Sequence, residues 1–340
     1  PTPIIVWCHP RSVSSAFERG FMQRPDTRVW HEPLGDPFYF SKDRPCKRYS
    51  DDHCKSLEHW ETSVESVTKS LLEPTSSESK ESCRYIFIKD MAQYIFPART
   101  LGKLHPGSTV YESAGEGGQA DQDGQEAIDE LENPTVLPTA LLKRFKHTFL
   151  IRTPEKSVPS YWKCVQEKAA GFEYFDGAEA GYAELKLLYQ WISNPESTFN
   201  KPFSGSKEGG DQDYPGEVQD QPQPPPLVDA SVLLSHPHHT ISSYCKAVGI
   251  PFYPGMLEWE SGPVEEWKKW GTYHKGAENS TGFRKEVPSS SSTTKIEGVS
   301  VGAKAEGVER PLLPEPVRET IEKNMDDYRY LLQRVTIKAP

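Results

Sequence analysis

His9-Pro10-Arg11-Ser12-Val13-Ser14-Ser15 gathers one guanidinium and three hydroxyls in a stretch directly after the apolar run Ile4 to Cys8 and at the start of the helical spacing Val13, Ala16, Phe17 and Phe21. A strand that ends in a tight turn and opens a helix aims unpaired backbone N–H groups and the positive end of the helix dipole at one point, which suits an anionic phosphate. Arg11 adds a fixed cation, and Ser12, Ser14 and Ser15 add donors. An ordinary serine-capped helix start uses the same residues. The pattern GxxxxGK[ST] is absent, so there is no magnesium seat of the nucleoside-triphosphatase kind. A second strand-end cation follows His147-Thr148-Phe149-Leu150-Ile151: Arg152, with Thr153-Pro154 opening a helix and Ser160 eight residues beyond the arginine. Ligands of open α/β sheets gather outside the carboxyl ends of the strands, so Arg11 and Arg152 converge if their strands are neighbours. Two cation sites imply a ligand with two anions.

The elements that must position these groups alternate between strand and helix. Ile4 to Cys8, Arg28 to His31, Tyr85 to Lys89, His147 to Arg152 and Leu227 to Ala230 read as strands, the first as a central parallel strand buried on both faces. Helices are expected from Val13 to about Pro25, from Leu57 to Leu72, from Leu141 to Phe145, from Pro154 to Ala170, from Ala178 to Ile192, from Thr240 to Val248 and from Pro316 to Val335, with Glu32 to Pro37 irregular. This predicts one α/β domain over 1–340: a three-layer fold with a central, mainly parallel sheet flanked by helices, and flexible insertions at about 106–134, 200–226 and 286–309.

Taken together, Pro10-Arg11-Ser12-Val13-Ser14-Ser15 and Arg152 with Ser160 resemble the P-loop-like sulfotransferase family that uses 3′-phosphoadenosine 5′-phosphosulfate. Its first loop reads Pro-Lys/Arg-Ser-Gly-Thr-Thr, and its second site is an Arg with a Ser eight residues later. Leu227-Val228-Asp229-Ala230 and Gly249-Ile250-Pro251-Phe252 look like a further strand and a "Leu-Gly-Leu-Pro-Phe" segment of that family, and the resemblance spans Ile4 to about Phe283. It implies that Arg11, Ser12, Val13, Ser14 and Ser15 hold the 5′-phosphosulfate of the donor, and Arg152 with Ser160 the 3′-phosphate, the product being 3′-phosphoadenosine 5′-phosphate. Tyr273-His274-Lys275-Gly276 and Ser280-Thr281-Gly282-Phe283 lie where the family's late nucleotide-covering loop falls, which adds Lys275 and Gly276. Trp267 and Trp270 fit packing against adenine or core.

Sulfuryl transfer grows negative charge on the departing phosphate, and Arg11 is the candidate to meet it. The acceptor hydroxyl needs a base. Met91, in Lys89-Asp90-Met91, stands where many cytosolic members have a His, and Val13 replaces a loop glycine. Glu32 of His31-Glu32-Pro33 takes the base role, with His31 and Asp90 in reserve, and Lys89 is placed to contact the sulfuryl group.

The net charge of −10 argues against a general nucleic-acid binder and against a polyanionic acceptor. With no apolar run of membrane length and no signal-like start, the chain reads as soluble and cytoplasmic. Its six cysteines form no CxxC pair and read as free thiols. His236, His238 and His239 cluster without a carboxylate or Cys at ligand spacing, so no metal is expected. The acceptor is then a small hydroxylated molecule, of the kind found in specialised metabolism. Trp30, Phe38-Tyr39-Phe40, Tyr94 and Phe96 are candidates to line its pocket. Two other functions fit the same residues: a repurposed enzyme that eliminates, rearranges or cyclises a metabolite with His31 and Glu32 as acid and base, and a non-catalytic nucleotide-binding interaction protein.

Overall fold

A computed structural model describes residues 1–73, 83–111, 128–168, 171–202, 214–283 and 312–340. Five strands, β1 (Thr2–Cys8), β2 (Thr27–His31), β3 (Tyr85–Met91), β4 (Lys146–Ile151) and β5 (Leu227–Asp229), form one all-parallel sheet in the order β2-β3-β1-β4-β5. The fold is therefore the expected α/β architecture, with a central sheet flanked by helices.

Residues Ile4 to Cys8 and all of β3 are buried, as strands covered on both faces must be. Trp7 pairs with Phe149, so these side chains share one face, and the register of β1 on β3 sets Ile4 beside Phe87 on the other. Helix α1 (Ser14–Met22) lays Phe17 and Phe21 on Phe87, with Tyr244 of the helix Pro237–Val248 edge-on to both phenylalanines. On the opposite face Tyr189 of the helix Tyr182–Ser193 meets Phe149, and the Trp7 indole donates to His147 Nδ1 at 2.9 Å. The C-terminal helix Glu315–Leu332 packs against Pro154–Gln166 and Tyr182–Ser193 on this side.

Several boundaries differ from the sequence reading for local reasons. The helix expected from Leu57 starts at Val64, because Ser63 and Ser66 form a reciprocal cap there. Gly35–Phe40 is helical although the segment reads as irregular; Pro37 lies early enough in it to be tolerated. Ala230–Ser235 is a further helix, capped by the Asp229 carboxylate accepting from Ser231 N. The helix from Pro154 ends at Gln166, and Lys168 takes a positive φ.

Of the three insertions, 286–309 lies outside the described residues, as do 112–127 and 203–213 of the other two. The described stretch 214–226 is tied down: the Gln221 side chain accepts from His147 N and donates to His147 O, and Phe149 N donates to Pro226 O. All six cysteines are free and buried, as read. Among the described residues no helix is long and apolar enough to cross a membrane.

Gly181, at φ 76, opens the helix Tyr182–Ser193 directly behind the loop that follows β1. A Cβ there would lie 2.6 Å from Gln93 Oε1 and 3.3 Å from both His9 and Pro10. Gly181→Ala is expected to lower the unfolding free energy in urea by about 1–3 kcal/mol through strain and overlap; an unchanged midpoint contradicts this packing.

Candidate active site

β1 and β4 are hydrogen-bonded neighbours, so the segments after Cys8 and Ile151 leave the sheet side by side. His9 ties them together. Its Nε2 accepts from Arg152 N at 3.0 Å, which leaves Nδ1 to donate to the Pro10 carbonyl at 3.0 Å, and its ring stacks on Tyr182 at 4.0 Å. Only the neutral Nδ1–H tautomer satisfies both bonds. Burial pushes the His9 pKa down to about 3. The Tyr182 hydroxyl donates to Arg152 O at 2.6 Å, fixing the other side of the same residue.

Arg11 and Val13 both have positive φ, 64 and 71, so the loop turns sharply before α1 starts at Ser14. A β-branched residue is costly there, and Val13 marks the position where a glycine would be free of strain. Arg152 Nη1 donates to the Arg11 carbonyl at 3.0 Å. The Arg11 guanidinium donates through Nε to Ser160 Oγ at 3.0 Å and through Nη1 to the Tyr273 carbonyl. Thus Ser160 pairs with Arg11 here, and both arginines line one cavity. The Ser12 hydroxyl is fully buried with no hydrogen-bond partner among the described residues, and Ser15 Oγ meets His274 Nδ1 at 2.7 Å. Gly276 lines the adjoining cavity, whereas Lys275 is exposed.

The acid–base candidates form a second, buried layer. β2 and β3 are in register with His31 opposite Lys89, and Glu32 continues the pairing through Glu32 N to Lys89 O at 2.8 Å. Lys89 Nζ donates to Glu32 Oε1 within a buried ion pair. Burial works against the Lys89 charge, but Glu32, with Cys8 and Glu18, outweighs it and holds the ammonium above its ordinary pKa. Asp90, a reserve base in the sequence reading, accepts Leu34 N at 3.0 Å and Met91 N at 2.9 Å. Burial raises its pKa well above the carboxylate range, so it acts as a backbone clamp.

His31 is flanked by two groups that the sequence reading did not select for chemistry. Its Nδ1 meets Glu18 Oε2 at 2.7 Å, and its Nε2 meets His274 Nε2 at 3.2 Å. Glu18 sits one turn into α1 with no trace in the spacing of its apolar neighbours, and His274 ends the 3-10 helical segment Glu265–His274 far along the chain. Burial pushes the Glu18 carboxyl up to about 8, against the pull of Lys89 and of the Trp267 indole that donates to it. Burial also holds His31 down to about 3 and His274 well below the usual imidazole range. Ligand-type atoms of His31, Glu32 and His274 lie within 4.8 Å of one another, and the Lys89 ammonium supplies the positive charge at that carboxylate. His239 instead bonds to Lys338 O, and His238 packs on Phe252, so the C-terminal histidines form no common site.

These layers border a cavity of about 240 Å³ whose polar lining includes Arg11, Ser15, Glu32, Lys89, Arg152, Glu179 and His274. Tyr39, Tyr94, Tyr161, Phe172, Trp270 and Tyr273 line the rest. Of the predicted pocket aromatics, Tyr39 and Tyr94 are there; Phe38 and Phe96 are in the core, and Trp30 packs against it. The Trp270 indole N–H and the Tyr273 hydroxyl have no hydrogen-bond partner among the described residues. Trp267 is core, bonded to Glu18.

No family model matches the chain. Branched-chain-amino-acid aminotransferase-like proteins 1 and 2 of Arabidopsis thaliana are each 26% identical to it, over 83% and 82% of this chain. The chain spans only 37% and 36% of the length of those two relatives. Among solved structures it is similar to a sulfotransferase domain from the curacin biosynthetic pathway, with 12% identity and a TM-score of 0.41 over 100% of this chain and 99% of that one. It is also similar to a sulfotransferase domain from the Synechococcus PCC 7002 olefin synthase, with 12% identity and a TM-score of 0.33 over 95% and 94%.

The neutral His9 gives a signed pH dependence. Its folded pKa of about 3 is below the unfolded value, so its contribution is present above about pH 6.5 and is lost as pH falls toward 3. The stability gap between the wild type and His9→Gln is expected to narrow on acidification by up to about 1.4 kcal/mol per pH unit in that window. Urea unfolding at several pH values measures it, and a level or widening gap contradicts a neutral His9.

Proposed function

We propose that this protein is a sulfotransferase that moves a sulfuryl group from 3′-phosphoadenosine 5′-phosphosulfate to a hydroxyl of a small, largely apolar acceptor. The observation that carries this reading is the meeting of Arg11 and Arg152 at the carboxyl ends of adjacent strands, beside the start of α1 and an aromatic cavity. The unpartnered Trp270 indole N–H and Tyr273 hydroxyl support it, since unmet donors at a cavity favour a polar ligand.

In this reading Arg11 and Ser12 to Ser15 hold the 5′ side of the donor. Arg152 holds the 3′-phosphate with Ser160, whose O–H donates to a phosphate oxygen while its oxygen accepts the Arg11 Nε–H. The donor supplies the activated sulfuryl group. Arg11 meets the charge that grows on the departing phosphate; Glu32 takes the acceptor's proton at Oε2, because Lys89 engages Oε1. Lys89 lines the same cavity and screens the carboxylate from the donor's charge. The aromatic side chains exclude water and orient the acceptor.

A second reading, a metabolite lyase or isomerase on the same scaffold, is favoured by one observation: the chain Glu18, His31, His274 abuts the cavity and offers an acid and a base without a donor.

Calorimetric titration separates the two. 3′-Phosphoadenosine 5′-phosphate is expected to bind more tightly than adenosine 5′-phosphate, and Arg152→Ala to weaken mainly the former, by about 10- to 100-fold. Arg11→Ala weakens both and lowers kcat for sulfation of a phenol panel by about 10²–10³. Equal affinity for both nucleotides, with Arg152→Ala neutral, supports the second reading; no binding of either removes the first.

A further inference from the structure

Four groups stand in single file from the sealed interior to the cavity. Glu18 Oε2 lies 2.7 Å from His31 Nδ1, His31 Nε2 lies 3.2 Å from His274 Nε2, and His274 Nδ1 lies 2.7 Å from Ser15 Oγ. Both nitrogens of both rings are used, and each neutral imidazole carries one proton. Only two proton arrangements then satisfy all three links.

With Glu18 ionised, His31 donates to Glu18, His274 donates to His31, and the Ser15 hydroxyl must donate to His274. Ser15 then offers only lone pairs to the cavity. With one more proton, Glu18 donates to His31, His31 to His274, and His274 to Ser15, which frees the Ser15 O–H to donate outward. The Trp267 indole donates to Glu18 Oε1, so the added proton belongs on Oε2, the oxygen that faces His31.

We propose that Glu18, through His31 and His274, sets whether Ser15 donates to a bound phosphoryl or sulfonyl oxygen, so that binding an anion at the loop draws one proton into this chain. This rests on the reading of the loop as an anion site. The proton comes from solvent at the cavity end: it joins His274 Nδ1, the Nε2 proton of His274 passes to His31 Nε2, and the Nδ1 proton of His31 passes to Glu18. Glu18, His31 and His274 are positioning residues that act through Ser15.

The groups facing the chain are few. Glu18 is faced by His31 from β2, Lys89 from β3, and Trp267 and Glu266 from the segment 265–274. His31 is faced also by Glu32 and Lys269, and His274 by Lys89 and Arg11. Lys89 favours the ionised carboxylate but is bonded to Glu32, and burial keeps Glu18 near 8. The two imidazoles stay neutral around that pH, so Glu18 is the group of the chain that titrates.

The test is titration with 3′-phosphoadenosine 5′-phosphate at about pH 9, in buffers of different ionisation enthalpy, where the phosphates themselves no longer titrate. The wild type is expected to take up close to one proton on binding, and its affinity to fall about tenfold between pH 7 and pH 9. Glu18→Gln donates from its amide to His31 and holds the chain in the outward-donating arrangement. It is expected to bind with no such uptake and about tenfold tighter than the wild type at the higher pH. His274→Ala cuts the chain and also removes the uptake. Binding by the wild type without proton uptake, or uptake that persists in Glu18→Gln, overturns the proposal. Absence of wild-type binding overturns the anion-site reading, and this proposal with it.

Discussion

His9 has no hydrogen to spare. Its Nδ1 donates to the Pro10 carbonyl and its Nε2 accepts the Arg152 amide, so one neutral imidazole fixes the loop after β1 at one separation from the end of β4. Everything nearer the cavity depends on that distance. The Arg11 carbonyl can receive the Arg152 guanidinium only if the loop is held there, and the Arg11 side chain then reaches Ser160 and the Tyr273 carbonyl. Tyr182 packs under the His9 ring and bonds to Arg152 O, so the helix behind the sheet supports both strands' ends together. Gly181 is the point where this support comes too close for any side chain.

Charge is distributed around the cavity in two layers. Toward the loop the fixed groups are cations, with the start of α1 adding its dipole. Beneath them, buried acids are either neutralised by a cation, as Glu32 is by Lys89, or held by backbone N–H donors, as Asp90 is by Leu34 and Met91. The second large acid of the wall, Glu179, is held by Arg48 and by the hydroxyls of Tyr39 and Tyr161. An anionic ligand therefore meets little uncompensated negative charge despite the chain's net charge of −10. The local arrangement, not the total, decides what binds.

The strands were legible because largely apolar runs of four to six residues between polar turns have few other uses, and the arginines were legible because they stand at strand ends. Helix starts were less so: Ser63 paired with Ser66, and Asp229 capping Ser231, are choices among several polar residues that only three-dimensional contacts decide. Ser160 stands eight residues beyond Arg152 in sequence but accepts from Arg11 in the structure, because a spacing of eight residues does not say which neighbour a side chain faces. Glu18 left no signal, and His274 stood only within the covering segment Tyr273-His274-Lys275-Gly276, with nothing to mark it as a partner of His31. A glutamate on α1 reads as a solvated helix position, and a histidine 243 residues from His31 in sequence becomes its neighbour only through the packing of the segment 265–274 across the open end of the sheet.

The central claim is that two anionic groups of one nucleotide are held separately by Arg11 and Arg152. Phosphorus NMR of bound 3′-phosphoadenosine 5′-phosphate tests it most directly, because the two phosphates give distinct resonances. Both resonances should shift on binding, with Arg11→Ala restoring mainly the free 5′ position and Arg152→Ala mainly the free 3′ position. A spectrum in which the 3′ resonance stays at its free position with the wild-type protein contradicts the account.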